Sequence, residues 1–292
     1  MEITRKAYAK INLGLDVIGK RDDGYHLVRM IMQNVDLFDT LTFKDNDTGQ
    51  VKLRASSESI PTDESNLICK VARQLQKEFG VKKGADIHLE KRIPVAAGMA
   101  GGSTDGAAAY MALNELWNLR LSKEQLCKLA VKLGADIPYC IVGGTALSEG
   151  IGEVLTPLKD MPECCIVIAK PAIAVSTGWV YTELDSREIK DHPDIDGIRN
   201  ALESGDIRGM CDLIGNVLED VTTSRYSIIT DIEKILEDNG AIRAFMTGSG
   251  PTVFAIYDDN EKAKKGYEAV KNSGLAPELF LSKPINPNSI RG

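Results

Sequence analysis

A glycine- and alanine-rich segment could bind a phosphate group. It runs Pro94-Val95-Ala96-Ala97-Gly98-Met99-Ala100-Gly101-Gly102-Ser103-Thr104. Glycine allows positive φ and close approach of the backbone to a ligand. An alanine-rich helix is predicted directly after the segment, to about Trp117, and the unpaired amides and positive dipole of a helix N-terminus attract anions. We interpret the segment as a phosphate-binding loop, with a tight turn and a simple helix cap as the alternative.

The segment differs from two common nucleotide-binding motifs. No Gly-Lys-Ser or Gly-Lys-Thr follows, so it is not a Walker A loop. Ala100 and Ser103 stand where the dinucleotide fingerprint has glycines. A dinucleotide-dependent enzyme is therefore disfavoured.

Two further segments carry candidate functional residues. In Gly134-Ala135-Asp136-Ile137-Pro138, an acid stands among small and apolar residues at a predicted turn between helices. Asp136 could cap a helix, or it could orient or deprotonate a hydroxyl group. Met246-Thr247-Gly248-Ser249-Gly250-Pro251-Thr252 lies between two predicted strands. It could be a plain β-turn, or its backbone could pack against the phosphate-binding loop or a substrate.

The elements that position these residues follow from hydrophobic periodicity. Residues 3–17 alternate between apolar and polar types, which predicts a strand with one buried face. Lys10 and Asn12 then project together from the opposite, polar face. A second strand is predicted over 26–43, after a turn at Asp23-Gly24.

Helices and strands are mixed along the rest of the chain. Helices are predicted over 65–79, 122–133 (a capping box at Ser122 and Gln125, ending at Gly134), 194–203, 206–219, 227–238 and 259–273. Strands are predicted near Ile87 and over 166–169, 241–246, 252–257 and 277–282. This order is not the strict alternation of a doubly wound sheet, so the sequence predicts an α+β fold. The expected domains are residues 1–160 and 161–292.

Composition excludes several classes of function. The 292 residues include 35 basic and 42 acidic side chains, a net charge of −7, which disfavours nucleic-acid binding. The three histidines and six cysteines show no metal-ligand spacing, so a zinc site is not expected. No run approaches the roughly 18 apolar residues of a membrane helix, and the N-terminus has no apolar stretch of signal-peptide type. We expect a cytoplasmic protein with reduced cysteines and no membrane partner.

Taken together, these segments resemble the GHMP kinase superfamily. The match includes Ala9-Lys10-Ile11-Asn12-Leu13-Gly14-Leu15, Asp23-Gly24-Tyr25-His26, the 94–106 loop, Gly134-Ala135-Asp136-Ile137-Pro138 and Gly248-Ser249-Gly250-Pro251, in the family's order. The first, second and fourth of these point to the branch that phosphorylates a cytidine-diphosphate sugar alcohol. The resemblance implies an N-terminal domain like ribosomal protein S5 and a ferredoxin-like C-terminal domain, with the substrate in the cleft between them.

The resemblance also implies roles for particular residues. ATP, with Mg²⁺, would lie over residues 94–104, and its γ-phosphoryl group would move to a substrate hydroxyl. The family's catalytic pair falls on Lys10 and Asp136. Asn12 would bind the substrate, and the base pocket falls on Tyr25, His26 and Tyr181. The resemblance assigns no magnesium ligands in this branch and no oligomeric state.

The sequence differs from the family's usual pattern in the loop, and other interpretations of its residues are open. The loop has Ala100 and Thr104 where superfamily relatives often have glycine and a second serine, but a small residue and a hydroxyl are kept. Taken alone, Lys10 could be a solvated strand lysine and His26 a loop histidine. The rival functions are another kinase of the superfamily and a non-catalytic ligand sensor, which could dispense with Lys10 or Asp136.

Overall fold

The computed structural model describes residues 1–286 of the chain, which form two compact units. The first unit consists of Met1–Ala9, Leu37–Val95 and Ala100–Val142, and the second of the remaining described residues. Neither unit is one continuous stretch of chain, and the predicted domain boundary at residue 160 stays a prediction. Within residues 1–286, no helix is long and apolar enough to cross a membrane.

Two long strands contribute residues to both units. They are β1 (Glu2–Lys20) and β2 (His26–Asn46). In the first unit, β3 (Val51–Ala55) pairs in parallel with β4 (Gly84–Glu90), and β4 pairs antiparallel with the second half of β2. The sheet order here is β3-β4-β2-β1.

Four helices complete the first unit: α1 (Leu67–Phe79), α2 (Gly101–Leu116), α3 (Lys123–Ala130) and α4 (Ile137–Val142). Helix α1 begins at Asn66, whose side chain accepts from the Ile68 amide, and ends at the left-handed Gly80. Its apolar stripe joins the buried alanines of α2 in one hydrophobic core. The small side chains of α2 allow these helices to pack closely, and this holds the start of α2 in place.

The second unit contains five short helices, one longer helix and the remaining strands. The helices are α5 (Thr177–Leu184), α6 (Ile195–Ser204), α7 (Ile207–Leu213), α8 (Glu219–Thr223), α9 (Ile228–Asp238) and α10 (Asn260–Ser273). The strands are β5 (Thr145–Glu149), β6 (Val154–Pro157), β7 (Cys165–Lys170), β8 (Gly215–Asn216), β9 (Arg243–Met246), β10 (Val253–Tyr257) and β11 (Glu278–Ser282).

An antiparallel sheet of order β11-β7-β10-β9 lies in this unit, and α9 and α10 pack on it. This is the ferredoxin-like arrangement that the family resemblance implies, and the α+β class predicted from the order of elements is confirmed. The six cysteines are free thiols.

Three sequence expectations are wrong in detail. Helix α3 has the predicted capping box but ends at Ala130, because residues 131–133 form a turn before Gly134. The helix predicted over 206–219 ends at Leu213, where Gly215 and Asn216 pair with β1 instead. Strand β1 is buried on both faces from Ala7 to Val17, because its polar side chains find polar partners inside the protein.

Candidate active site

The glycine-rich loop has the backbone geometry of a ligand-binding loop. Ala96, Gly98 and Ala100 all have positive φ, at 51°, 70° and 57°. A left-handed alanine costs roughly 1–2 kcal/mol, so two of them in one loop are a real strain. Strain of this kind concentrates at functional sites, where the surrounding structure holds it in place.

Helix α2 begins directly after this strained loop. Its N-cap residue is Ala100, and no side chain caps it. The first amides of a 16-residue helix are therefore available to an anion, with the positive end of the helix dipole behind them. Thr104 is buried and donates its hydroxyl proton to the Tyr8 carbonyl at 2.9 Å. Ser103, which is half-buried, is the better placed of the two predicted hydroxyls.

The loop also packs backbone to backbone against the 246–252 segment. A Cβ added to Gly98 would lie 2.4 Å from the Thr247 carbonyl oxygen, and one added to Gly248 would lie 2.9 Å from the Gly98 oxygen. The side-chain amide nitrogen of Asn216, Nδ2, donates to the Met246 and Gly248 carbonyls at 3.0 and 2.8 Å, which fixes that segment. The predicted packing of this turn against the glycine-rich loop is confirmed.

Lys10 is buried beside the loop, with only 5% of its surface exposed. Its Nζ donates to Asn12 Oδ1 at 2.6 Å and to the Gly98 carbonyl at 2.9 Å, while its backbone amide donates to the Met99 carbonyl at 3.2 Å. Lys10 and Asn12 share a face of β1, as predicted. The alternative of a solvated strand lysine is wrong.

Asn12 connects this lysine to the 246–252 segment. Its backbone amide donates to Thr247 Oγ1 at 3.0 Å, and the Thr247 hydroxyl lies 3.3 Å from Asn12 Oδ1. Three stretches of chain thus meet around one ammonium group: β1, the glycine-rich loop and the turn after β9. This arrangement can hold a fixed positive charge next to a bound phosphate.

Asp136 is half-buried and lies in the first unit, in the turn that precedes α4. Its carbonyl accepts from the Cys140 amide at 3.1 Å, in the first turn of that helix. Pro138 is tolerated there because the first helical amides have no partner within the helix. The predicted place of Asp136, in a turn between helices α3 and α4, is confirmed, and its catalytic role stays a prediction.

The residues predicted to bind a base lie in the second unit. His26 and Tyr181 are 155 positions apart in sequence, yet their ring centroids are 4.7 Å apart with an interplanar angle of 33°. Tyr25 precedes β2 and is 57% exposed, so its ring is available to a ligand. Its amide donates to Asp23 Oδ1 at 3.2 Å, in the predicted turn at Asp23-Gly24.

A buried ionic cluster in the first unit was not predicted from the sequence. Lys91 Nζ lies 2.5 Å from Asp39 Oδ2 and 2.9 Å from Asp105 Oδ2. Asp39 Oδ1 also accepts from the Arg92 and Ile93 amides at 2.5 and 2.8 Å. Asp105 lies in α2 and Lys91 follows β4, so the cluster fixes the two ends of the glycine-rich loop.

Burial sets the protonation behaviour of this cluster. Burial and the neighbouring Asp39 charge raise the pKa of Asp105 well above its usual range, although Lys91 opposes the rise. Burial alone would lower the pKa of Lys91, but the two carboxylates outweigh it and the pKa rises. The sequence does show a lysine and an aspartate, Lys91 and Asp105, on either side of the glycine-rich segment, and this placement could have indicated the cluster.

The described residues fit a bound nucleotide phosphate better than a protein-held metal. The uncapped start of α2 suits a phosphate group. Within residues 1–286, no three His, Cys, Asp or Glu side chains gather as a metal site, and Asp105, close to the loop, is bonded to Lys91. A magnesium ion that arrives with a nucleotide needs only one or two protein carboxylates, because the phosphates and waters supply its other ligands.

Comparison with known proteins identifies the family. The model of the GHMP kinases N terminal domain matches residues 66–144, and that of the GHMP kinases C terminal domain matches residues 198–275. A 4-diphosphocytidyl-2-C-methyl-D-erythritol kinase of Clostridium perfringens is 45% identical over 285 residues, which cover 98% of this chain and 99% of that relative. The chain belongs to the GHMP kinase family.

Other relatives and solved structures agree with this membership. A protein of the same name from Lachnoclostridium phytofermentans is 48% identical, with 96% of this chain and 97% of the relative covered. A crystal structure of 4-(cytidine 5'-diphospho)-2C-methyl-D-erythritol kinase superposes with a TM-score of 0.82 at 28% identity, covering 97% and 99% of the two chains. Mevalonate kinase of L. major shares the fold, with a TM-score of 0.76 at 18% identity and coverage of 98% and 96%. As a GHMP kinase, this protein is a small-molecule kinase.

Proposed function

We propose that this GHMP kinase transfers the γ-phosphoryl group of ATP to the 2-hydroxyl group of 4-diphosphocytidyl-2-C-methyl-D-erythritol, in the non-mevalonate route to isoprenoid precursors. The observation that carries the proposal is the buried Lys10 ammonium, held at 2.9 Å from the Gly98 carbonyl of the glycine-rich loop. The substrate is proposed from relatives that are 45–48% identical over nearly the whole chain.

Each part of the site has a task in this reaction. Residues 94–104 hold the ATP phosphates through backbone amides and the uncapped start of α2. Mg²⁺ accompanies the phosphates and balances their charge when bound. Phosphoryl transfer depends on alignment of the reacting oxygens and on compensation of the developing charge.

Lys10 and Asp136 are the proposed catalytic pair. The substrate hydroxyl oxygen attacks the γ-phosphorus, the bond to the β,γ-bridging oxygen breaks, and ADP leaves. The Lys10 ammonium compensates the charge on the transferring group, because its hydrogen bonds to Asn12 and Gly98 fix its position. Asp136 accepts the hydroxyl proton or holds the hydroxyl in line.

Three aromatic side chains and one amide would bind the substrate. The Tyr181 ring, packed on His26, and the exposed Tyr25 ring suit the flat face of cytosine. Asn12 is proposed to bind the substrate beside Lys10.

We also propose a cytoplasmic location for the protein and domain limits of 1–160 and 161–292.

An acceptor panel tests this function. Purified protein, ATP and Mg²⁺ are mixed with the cytidylated substrate, homoserine or phosphomevalonate, and ADP release is followed. We expect turnover only with the cytidylated substrate, and ³¹P NMR should show a new phosphomonoester on the 2-hydroxyl. Turnover with homoserine or phosphomevalonate, and none with the cytidylated compound, would falsify the proposed substrate.

A further inference from the structure

A carboxylate that no sequence motif contains is bonded to the histidine of the proposed base pocket. Asp185 follows helix α5, and its Oδ1 lies 2.6 Å from His26 Nε2. Its other oxygen, Oδ2, accepts from Lys20 Nζ at 2.6 Å. Lys20 ends β1 and His26 begins β2, so one carboxylate ties both ends of this strand connection to α5.

This contact determines which nitrogen of His26 carries a proton. Hydrogen bonds from Lys20 and His26 lower the pKa of Asp185, so the side chain is a carboxylate at neutral pH. A carboxylate can only accept a hydrogen bond, and Nε2 must therefore be the protonated nitrogen. In the neutral ring, Nδ1 then carries a lone pair.

The His26 ring is also fixed in orientation. Only 12% of its side chain is exposed, and the Tyr181 ring packs on it at 4.7 Å. Within residues 1–286, no hydrogen bond involves His26 Nδ1. The oriented His26 ring therefore keeps one nitrogen that makes no hydrogen bond with the described residues.

A lone pair on Nδ1 discriminates between pyrimidines. Cytosine carries an amino group at position 4, which donates hydrogen bonds, whereas uracil carries a carbonyl oxygen there, which only accepts. An acceptor nitrogen matches the first and repels the second. The discrimination depends on the tautomer, because an Nδ1–H group would prefer the carbonyl.

We propose that Asp185 is a positioning residue that selects the substrate's base by holding His26 as the Nε2–H tautomer, with Nδ1 accepting from the 4-amino group of cytosine. The proposal rests on the proposed function for the identity of the base. Lys20 assists by keeping Asp185 ionised and in place.

The test compares Asp185→Asn with Glu183→Gln, the same change of chemistry two residues away. An asparagine can donate to Nε2 as well as accept from it, so it no longer enforces one tautomer. The first measurement is ¹⁵N NMR of the histidine side chains, with His26 assigned from its loss in His26→Gln. We expect the Nε2–H pattern in the native protein and in Glu183→Gln, and a mixed pattern in Asp185→Asn.

The second measurement is kinetic. In Asp185→Asn we expect KM for the cytidylated substrate to rise about tenfold, the size of one good hydrogen bond, with kcat within twofold. Preference for the cytidylated over the uridylated compound should fall by a similar factor, and Glu183→Gln should behave as native. An unchanged preference in Asp185→Asn, or an Nδ1–H pattern in the native protein, would overturn the proposal.

Ligand titration separates this proposal from the substrate assignment. If the native protein does not phosphorylate the cytidylated compound, the proposed function fails. The tautomer proposal is then judged by titrating CDP and UDP against the His26 resonances. A CDP-specific shift of Nδ1 that Asp185→Asn abolishes supports it, and equal shifts with both nucleotides contradict it.

Discussion

Two buried lysines beside the same loop are held in different ways. Lys91 contacts two carboxylates, those of Asp39 and Asp105, which balance its charge. The hydrogen bonds of Lys10 to Asn12 Oδ1 and the Gly98 carbonyl reach uncharged oxygens. Lys91 therefore suits a structural role, whereas Lys10 contacts the backbone of the glycine-rich loop itself, where we propose that phosphate binds.

The comparison predicts that Lys91→Met has its main effect on stability. The substitution leaves Asp39 and Asp105 buried without their cation, and breaking a buried pair costs about 3–5 kcal/mol. Urea unfolding should show a loss of this size in the free energy of unfolding. Lys83→Met is the matched control, because Lys83 pairs with Asp45 at the surface, where solvent screens the pair, and the loss should be much smaller. Equal losses in the two variants would remove the distinction.

Lys10→Met should act mainly on the reaction rate. Loss of one fixed electrostatic donor typically lowers kcat by about 10²–10³, and the free energy of unfolding should change less than in Lys91→Met. Lys6→Met serves as the control, since Lys6 lies on the same strand, exposed over the Phe38 ring. A near-native kcat in Lys10→Met would refute its catalytic role.

Gly98→Ala tests the loop that Lys10 contacts. The new Cβ would meet the Thr247 carbonyl at 2.4 Å and would also occupy a left-handed φ of 70°. We expect the KM for ATP to rise at least about tenfold, equivalent to about 1.4 kcal/mol, because relief of this collision must displace the loop backbone that is proposed to hold the phosphates. Gly80→Ala has a similar φ in open space and isolates the backbone cost, so its KM for ATP should stay native. If both variants bind ATP alike, the close packing at Gly98 is unimportant.

Glu219 and Glu233 form a second buried pair of acids, which differs from Asp39 and Asp105 because no lysine among the described residues lies between its carboxyl groups. Burial raises the pKa of Glu219 to about 7 and of Glu233 to about 9, with Arg243 and Glu237 nearby. Because both values exceed the usual 4.5, the folded state binds more protons than the unfolded state above that pH. Stability should therefore fall as pH rises from about 5 to 9.

Glu233→Gln should flatten this loss, because glutamine resembles the protonated acid. Urea unfolding at pH 6 and pH 9 measures the effect, and the exposed Glu261→Gln is the control. We expect this to be the smallest of the four effects. The same pH dependence in native protein and Glu233→Gln would contradict the assignment.

The sequence predicted most elements and the places of the motifs. Periodicity identified β1 and α1, because apolar residues recur there at strand and helix spacing, whereas the ferredoxin-like sheet was expected from the family resemblance. It did not show that the polar face of β1 is buried, since alternation tells which residues share a face but not what covers that face. Lys10, Asn12 and Asp16 are buried because partners distant in sequence, such as Thr247 and His192, meet them there.

The candidate site divides in the same way. The glycine-rich loop and the motif order were visible, because they are local. The Lys91 cluster and the His26–Asp185 contact were not, because they join residues 14 to 159 positions apart. Such contacts depend on the tertiary fold and leave no fixed spacing in the chain.

The close backbone packing at Gly98 has a consequence for inhibitor resistance. A compound that accepted hydrogen bonds from the main-chain amides of this loop would contact groups that only a substitution to proline removes. Escape would require a change of backbone shape, and any side chain at Gly98 or Gly248 would collide with the facing main chain. Compounds that bind this loop should therefore select fewer tolerated mutations than compounds that bind the exposed Tyr25 ring.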